Sequence, residues 1–234
     1  MKILAIDSTA VTASCAVTDD KKLIAQSFVN VGLTHSQTLL PLIDDTLRNA
    51  KMTIDKIDRL VVCAGPGSFT GVRIGVSTIK GIAFTNDIPC VGVSTLDAIA
   101  ETAGCFNGII CAVMDARCNQ VYNALFRAEN GSIERLCEDR ALSIDELTNE
   151  LKSLNDKILL AGDGAELCYN KMNDTLPVFL ASDNIRFQSG YGAAIASMRE
   201  YYADKCVKSN DLTPIYLRLP QAERELNQRL AQQK

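Results

Sequence analysis

The sequence contains one histidine, no tryptophan and no apolar run near the roughly 20 residues that a membrane-spanning helix needs. Nine cysteines are present, but none are spaced as Cys-x-x-Cys. With a single histidine beside them, they do not form a zinc-binding pattern, and several lie in apolar runs, where free cysteine behaves as a small buried side chain. Asp7 interrupts the apolar start where a signal peptide would continue. We therefore expect a cytoplasmic protein with reduced thiols, no metal and no membrane contact.

Basic residues are also too few for a protein that holds nucleic acid alone. There are 28 acidic residues against 24 lysines and arginines, giving a formal net charge of −4. A nucleic-acid-binding surface usually carries a basic face that neutralises phosphates. Only the stretch 218–234 is densely basic. Direct nucleic-acid binding through this tail therefore remains a weaker alternative.

The chain has two halves with the same order of predicted elements: three strands, a helix, a strand and a helix. Hairpin-linked strands followed by alternating helices and strands predict a mixed sheet. We expect an α/β fold with two lobes, residues 1–104 and 105–234, and a final segment that packs back on the first lobe. Predicted strands are 2–7, 13–18, 23–29, 59–64, 90–93, 108–115, 120–127, 133–136 and 157–161. Predicted helices are 36–50, 72–85, 145–153, 165–172 and 192–203, with a further helix that is capped by Ser94 or Thr95 and runs through Ala100.

Two turns at strand ends are candidate nucleotide contacts. Asp7, Ser8 and Thr9 follow the first strand, and in two-lobed phosphotransferases such a turn faces the cleft and approaches phosphate. Gly162 and Gly164 flank an aspartate at the equivalent turn of the second half. Ordinary turns use the same residue types, so a purely structural role is an open alternative for both.

A glycine-rich loop, GPGSFTG at 65–71, joins a strand to a helix. Its glycines permit close backbone approach, and a helix N-terminus offers free N–H groups to an anion. It is not a Walker A loop, because no Gly-Lys-Ser/Thr follows, and its third glycine is one residue late for a dinucleotide fingerprint. The alternative is a tight connection that lets helix and strand pack closely.

The helix after this loop is apolar or small nearly all round, unlike a typical surface helix of a monomer. Together with the apolar stripe of the helix at 36–50, it predicts a two-helix subunit interface. The alternative is that both helices are buried in the layers of this chain. If they form the interface, Val76→Glu or Gly75→Arg abolishes pairing and leaves the fold intact. The predicted interface residues are Leu39, Leu40, Ile43, Leu47, Val72, Arg73, Gly75, Val76 and Ile79.

Nucleophilic catalysis has little support, because a Ser-His-Asp arrangement would need His35, the single histidine. His35 lies where a helix is about to begin, a position typical of a solvated or capping residue. No catalytic residue is assigned.

Five stretches resemble the TsaB (YeaZ) family: ILAIDST at 3–9, THSQTLLP at 34–41, AGPGSFTGVRIG at 64–75, DIPCVGVST at 87–95 and PIYLR at 214–218. The similarity spans nearly the whole chain, and the stretch 64–75 is the most specific. It implies an actin/Hsp70/sugar-kinase (ASKHA) fold. It also implies a role in forming N6-threonylcarbamoyladenosine beside the tRNA anticodon, as obligate partner of the catalytic paralogue TsaD.

TsaD-like sequences carry two metal-binding histidines spaced His-x-x-x-His, and alignment on Pro89 and Val93 places Thr95 and Ile99 at those positions. Neither side chain replaces an imidazole ligand, so the resemblance implies a non-catalytic subunit. It further implies the helix pair as the surface for a homodimer or the TsaD heterodimer, with Arg73 able to pair with a partner's acid. The ATPase TsaE completes the assembly, and tRNA is bound only through the complex. ATP or ADP binding by this chain stays open, as does the alternative of a phosphotransferase or peptidase of the same fold.

Overall fold

The computed structural model describes residues 1–218. Its first sheet contains β1 (Lys2–Asp7), β2 (Ala13–Asp19), β3 (Lys22–Val29), β4 (Arg59–Gly65) and β5 (Cys90–Ser94) in the spatial order β3-β2-β1-β4-β5. The first three strands pair antiparallel, and β1, β4 and β5 run parallel. The sheet is therefore mixed, as predicted.

The second sheet repeats this plan. Its order is β11-β10-β6-β7-β8, with β9 also pairing with β7, so the corresponding strands of the two sheets occupy the same places. A duplicated two-lobed α/β architecture is thus confirmed. The strands are β6 (Gly108–Asp115), β7 (Gln120–Glu129), β8 (Ser132–Arg135), β9 (Arg140–Ser143), β10 (Ile158–Ala161) and β11 (Val178–Leu180).

Eight helices lie in the described part of the chain, and their packing follows the alternation of strand side chains. One face of the first sheet packs against α1 and α2, and its other face packs against α3 and α7. Helix α3 also packs on the second sheet, so it lies between the lobes. The helices are α1 (His35–Asn49), α2 (Phe69–Asn86), α3 (Thr95–Thr102), α4 (Ile144–Lys152), α5 (Ala165–Met172), α6 (Asp183–Arg186), α7 (Gly190–Ala196) and α8 (Glu200–Ala203).

Two of the predicted helices differ from the structure by more than two residues. Helix α2 begins at Phe69 instead of residue 72, because the Ser68 side chain accepts a hydrogen bond from the Gly71 amide and caps the helix earlier. The single helix predicted at 192–203 is divided into α7 and α8. None of the helices within residues 1–218 is long and apolar enough to cross a membrane.

The chain returns to the first lobe after the second sheet. Helix α7 packs on β1 and β2, Val207 forms a β-bridge with Cys90, and the Ile215 amide donates to the Ala64 carbonyl oxygen at 2.7 Å. The stretch 207–215 therefore lies against the first lobe. Residues 219–234, which hold all of the predicted basic tail except Arg218, lie outside the described residues.

Candidate functional site

A cleft of about 680 Å³ opens between the two lobes. The turn after β1 and the loop before α2 form its first side, and the turns after β6 and β10 form its second. Residues 215–218 close one end. Of the five residues predicted to contact nucleotide, Thr9 lines this cleft directly. Asp163, which lies between Gly162 and Gly164 and is not one of the five predicted contacts, also lines it.

The turn Asp7-Ser8-Thr9 is buried and bonded internally. The Thr9 hydroxyl donates to Asp7 Oδ1 at 2.7 Å, and the Ser8 hydroxyl donates to the Gly71 carbonyl oxygen at 2.9 Å. Burial raises the pKa of Asp7 to about 6, although the hydrogen bonds from Thr9 act to lower it. These side chains therefore hold the turn in place, and nucleotide contact through them stays a prediction.

The two glycines beside Asp163 sit where the chain packs most closely on β6. A Cβ atom added to Gly164 would lie 2.9 Å from the Asp115 amide nitrogen. One added to Gly162 would clash with the β6 backbone and lie 3.1 Å from Ile99 Cδ1. Close packing alone is thus sufficient to explain why both positions are glycine. This is the purely structural role that the sequence left open as the alternative to nucleotide contact.

Asp163 is the chemically unusual group of the cleft. Its Oδ1 atom is buried and has no hydrogen-bond partner among residues 1–218. Burial, followed by the charges of Asp115 and Asp7, raises the pKa of Asp163 to about 7. Its carboxyl group can therefore hold or release a proton near neutral pH. The available sequence signal was an acid between two glycines at a strand end.

The glycines of the loop and of helix α2 bring the helix against the turn after β1. A Cβ atom on Gly67 would lie 2.5 Å from the Thr9 carbonyl oxygen, and one on Gly75 would lie 2.6 Å from Ser8 Oγ. The small residues on this helix face were predicted to admit a partner helix. Gly75 instead admits a turn of the same chain, so its assignment to the interface is corrected.

Helices α1 and α2 each turn one face inward and one outward. Because the inward face packs on the first sheet, most of the predicted interface residues belong to the core of this lobe, and the predicted contact set needs correction there. Leu47 is half-buried, while Leu40 is 58 % exposed and remains available to a partner. The residues placed in the core are Leu39, Ile43, Val72, Gly75, Val76 and Ile79.

Both charged side chains on the outward face of α2, Arg73 and Lys80, bond to other residues of the chain. The guanidinium of Arg73 stacks on Phe69 at 3.8 Å, and its Nε donates to Tyr216 Oη at 2.8 Å. Lys80 donates to the carbonyl oxygens of Asn210 and Leu212. The predicted role of Arg73 in pairing with a partner's acid is therefore weakened, because its polar groups already bond to this chain. Phe84, which the sequence analysis did not single out, is 73 % exposed on the same helix.

His35 holds three segments together. Its Nε2 lies 2.6 Å from the Ala10 carbonyl oxygen, which fits donation from that nitrogen, and its ring lies against Gly71. The residue begins α1 and contacts the turn after β1. This arrangement gives His35 a structural role.

The positions compared with metal-binding histidines lie on α3, between the lobes. Thr95 and Ile99 are fully buried, and Thr95 Oγ1 has no hydrogen-bond partner within residues 1–218. Ile99 packs with residues of the second sheet. In the part of the chain that the structure describes, no group of three or more His, Cys, Asp or Glu side chains is placed to hold a metal ion. At the two positions that align with the metal-binding histidines, the chain therefore has a buried threonine and an isoleucine that makes an apolar contact between the lobes.

Comparison with known proteins places this architecture among characterised relatives. Residues 30–219 match the family model described as TsaD, tRNA N6-adenosine threonylcarbamoyltransferase. The chain is 31 % identical to the tRNA threonylcarbamoyladenosine biosynthesis protein TsaB of Bacillus subtilis, over 95 % of this chain and 96 % of that protein. It is 29 % identical to the Escherichia coli protein of the same name, over 93 % and 95 %.

Solved structures agree on the fold. The chain superposes with a TM-score of 0.80 and 23 % identity on a Pseudomonas aeruginosa protein described as similar to peptidase YeaZ, covering 93 % of this chain and 99 % of that one. Component A of (R)-2-hydroxyglutaryl-CoA dehydratase from Acidaminococcus fermentans superposes with a TM-score of 0.51 and 13 % identity, over 83 % and 96 %. The expected ASKHA-type fold is confirmed.

Proposed function

Because the chain belongs to the TsaB (YeaZ) family, we propose that it takes part in the biosynthesis of threonylcarbamoyladenosine in tRNA, as a non-catalytic subunit. Its role in this proposal is to bind and activate TsaD, the transferase that passes a threonylcarbamoyl group from its adenylate to a tRNA adenosine. TsaE supplies ATP hydrolysis in the assembly, and tRNA is held through the complex. In the absence of TsaD the same surface pairs two copies of this chain.

The observation that carries the proposal is the outward face of α1 and α2. Leu40 and Phe84 are exposed, Ile74 is half-exposed, and the two cations of α2 are bonded within the chain. Exposed apolar side chains without free charges are typical of the centre of a protein interface. A partner helix laid on this face would bury them without leaving a cation of α2 unpaired, and the exposed acids of α1, Asp44 and Asp45, pair with Arg48.

The inward faces of α1 and α2 supply the core contacts of the lobe, so folding does not require apolar residues on the outward faces. The lobe obtains its stability from core residues such as Val76 and Ile79, which are turned toward the sheet. Exposed residues such as Phe84 add little to that core. Their apolar character is therefore better explained by a partner than by folding.

A reconstituted modification assay tests the proposal. The purified chain, TsaD and TsaE are combined with unmodified tRNA and threonylcarbamoyl-adenylate, and each protein is omitted in turn. We expect modified adenosine only when both this chain and TsaD are present, and none from this chain alone with Zn²⁺, Fe²⁺ or ATP added. Turnover without TsaD, or one bound metal ion for each copy of this chain, contradicts the proposal.

The cleft supports one alternative function. Asp163, with its pKa near 7, faces a cleft of about 680 Å³ between two ASKHA-type lobes. A nucleotide-binding phosphotransferase, or a peptidase, of this fold would place its substrate there. Titration of the isolated chain with Mg·ATP distinguishes the two: hydrolysis by the chain alone favours the enzyme, and its absence alongside activation of TsaD favours the subunit.

A further inference from the structure

Helix α3 carries a buried carboxylate that bonds to both lobes. Asp97 is 1 % exposed. Its Oδ1 accepts from Arg199 Nη1 at 2.7 Å, and its Oδ2 accepts from the Tyr202 hydroxyl at 2.6 Å. Arg135 Nη2 lies 3.0 Å from the same Oδ2. Because Arg135 belongs to β8 of the second sheet, this carboxylate joins three separate parts of the chain.

A second carboxylate extends the connection. The Ser94 hydroxyl, at the end of β5 in the first sheet, donates to Asp139 Oδ2 at 2.6 Å. Arg135 Nη1 donates to Asp139 Oδ1 at 2.7 Å, and Arg199 Nε donates to Glu101 at 2.6 Å. These side chains thus form direct hydrogen bonds from the first lobe to the second. We call them the Asp97 cluster, which consists of Ser94, Asp97, Glu101, Arg135, Asp139, Arg199 and Tyr202.

Each arginine of the cluster is shared between two carboxylates, and Arg135 reaches Asp97 only in this arrangement of the lobes. Three carboxylates, those of Asp97, Glu101 and Asp139, face the two guanidinium groups of Arg135 and Arg199. The side chains are between 2 % and 22 % exposed, so water does not replace a lost partner easily. Moving one lobe away would leave Asp97 or Arg135 buried with fewer partners, which is costly.

The cluster and the cleft share a wall. Ile215 and Leu217 line the cleft and also a second cavity, whose lining includes Asp97 and Arg135. At the other end of this segment, Arg218 donates to the Ala116 carbonyl oxygen in the turn after β6. The lobes are therefore joined on both sides of the segment 215–218, and a change in their angle would break bonds at both places.

We propose that the Asp97 cluster is a latch that fixes the angle between the two lobes, so that the cleft keeps one opening whether or not a nucleotide is present. The inference depends on the fold and on these contacts, and not on the proposed function. In this proposal α3, which carries Asp97, holds the lobes together. The chain then presents its surfaces to a partner as a rigid body.

Pulsed electron–electron double resonance, which measures the distance between two spin labels, tests the latch on the full chain. Ketone-bearing residues at exposed positions Val31 and Asn170 place one spin label on each lobe without using the native cysteines. The labelled chain is mixed with an excess of unlabelled chain, so that pairing of two copies adds no further distance. We then expect one narrow distance distribution in the wild type, unchanged by Mg·ATP. We expect a broader distribution with a second population in Asp97→Asn and in Asp139→Asn.

Two comparisons keep the test decisive. Glu150→Gln removes an ion pair with Arg140 that lies within the second lobe, and it should leave the distribution narrow. If Asp97→Asn does not fold by circular dichroism, Asp139→Asn and Ser94→Ala carry the test. A wild-type distribution that is broad or shifts with Mg·ATP overturns the proposal, and so does an unchanged narrow distribution in the folded cluster variants.

Discussion

The hydroxyl group of Ser8 donates a 2.9 Å hydrogen bond to the carbonyl oxygen of Gly71. This bond joins the turn after β1, at the cleft, to the first turn of α2, whose other face we propose to bind a partner. A Cβ atom on Gly71 would collide with the Ser8 carbonyl oxygen. The glycine is therefore what allows the cleft turn and the proposed interface helix to form one packed unit.

Gly71→Ala should destabilise the protein. The new methyl group meets backbone atoms of Ser8, which cannot move as a side chain can, so overpacking should cost about 1–3 kcal/mol of the free energy of unfolding. Urea denaturation measures this change. Gly81→Ala on the same helix is the control: nothing lies within 4 Å of its added Cβ atom, and it should stabilise by about 0.5–1 kcal/mol. Equal effects at the two positions contradict the close packing.

Val76→Glu should unfold the first lobe. Val76 lies in the core between α2 and the sheet, so glutamate would bury a carboxylate without a partner and cost several kcal/mol. The sequence-based prediction, that this change blocks pairing and leaves the fold intact, is thereby corrected. Circular dichroism and thermal unfolding check it. Phe84→Glu, at an exposed position of the same helix, should change stability by no more than about 0.5 kcal/mol. A stable Val76→Glu protein would refute the burial.

Arg73 and Tyr216 should be energetically coupled. The Arg73 guanidinium donates to the Tyr216 hydroxyl and stacks on Phe69, so Arg73→Met and Tyr216→Phe each remove the same hydrogen bond. A double-mutant cycle by chemical denaturation should give a coupling of about 0.5–1.5 kcal/mol. A control cycle combines Tyr216→Phe with Arg48→Met, which lies on the outward face of α1. The two changes in the free energy of unfolding should be additive within about 0.5 kcal/mol. Additivity in the Arg73 cycle would show that Arg73 does not hold Tyr216 to α2.

The stability of the protein should fall between pH 5 and pH 8 because of Asp163. The pKa of this carboxyl group is about 7 in the folded chain against 3.8 ordinarily, so the folded state keeps a proton that the unfolded chain has released. The resulting stabilisation is complete below pH 4 and is lost as the pH rises through 7. Asp163→Asn removes this titration, so its loss of stability between pH 5 and 8 should be smaller by about 2–3 kcal/mol.

Urea denaturation at a series of pH values measures this difference. Asp174→Asn, which removes an exposed carboxyl group, should follow the wild-type curve. If the wild type and Asp163→Asn lose stability in parallel across this range, the raised pKa of Asp163 is disproved.

Nine of the eleven strands in the described residues and the positions of most helices were predictable from the sequence, whereas the short strands β9 and β11 were missed. Apolar runs such as residues 59–64 fix where a strand forms, and the repeat of the pattern in the second half predicted a second sheet of the same kind. The direction in which α2 faces was not predictable, because that helix is apolar or small nearly all round. Periodicity alone cannot say which side of such a helix meets the sheet.

The contacts between distant residues also escaped the sequence analysis. Asp97 and Arg135 are 38 positions apart, and nothing in their local sequences indicates that they meet. Tyr216 reaches Arg73 across 143 positions for the same reason. Burial of the Asp163 Oδ1 atom, which accompanies the raised pKa of this group, is likewise seen only in the folded chain. Local patterns encode elements, and tertiary packing decides which polar groups become partners.

Calorimetric titration of TsaD with this chain tests the proposed interface most directly. The wild type, the double variant Leu40→Asp/Phe84→Asp and the control Leu167→Asp, which changes an exposed leucine of α5 in the second lobe, are compared after each is shown to be folded. We expect the double variant to bind at least about tenfold more weakly, because two apolar contacts become desolvated charges, and the control to match the wild type. Full affinity in the folded double variant would contradict the assignment of the α1–α2 face to partner binding.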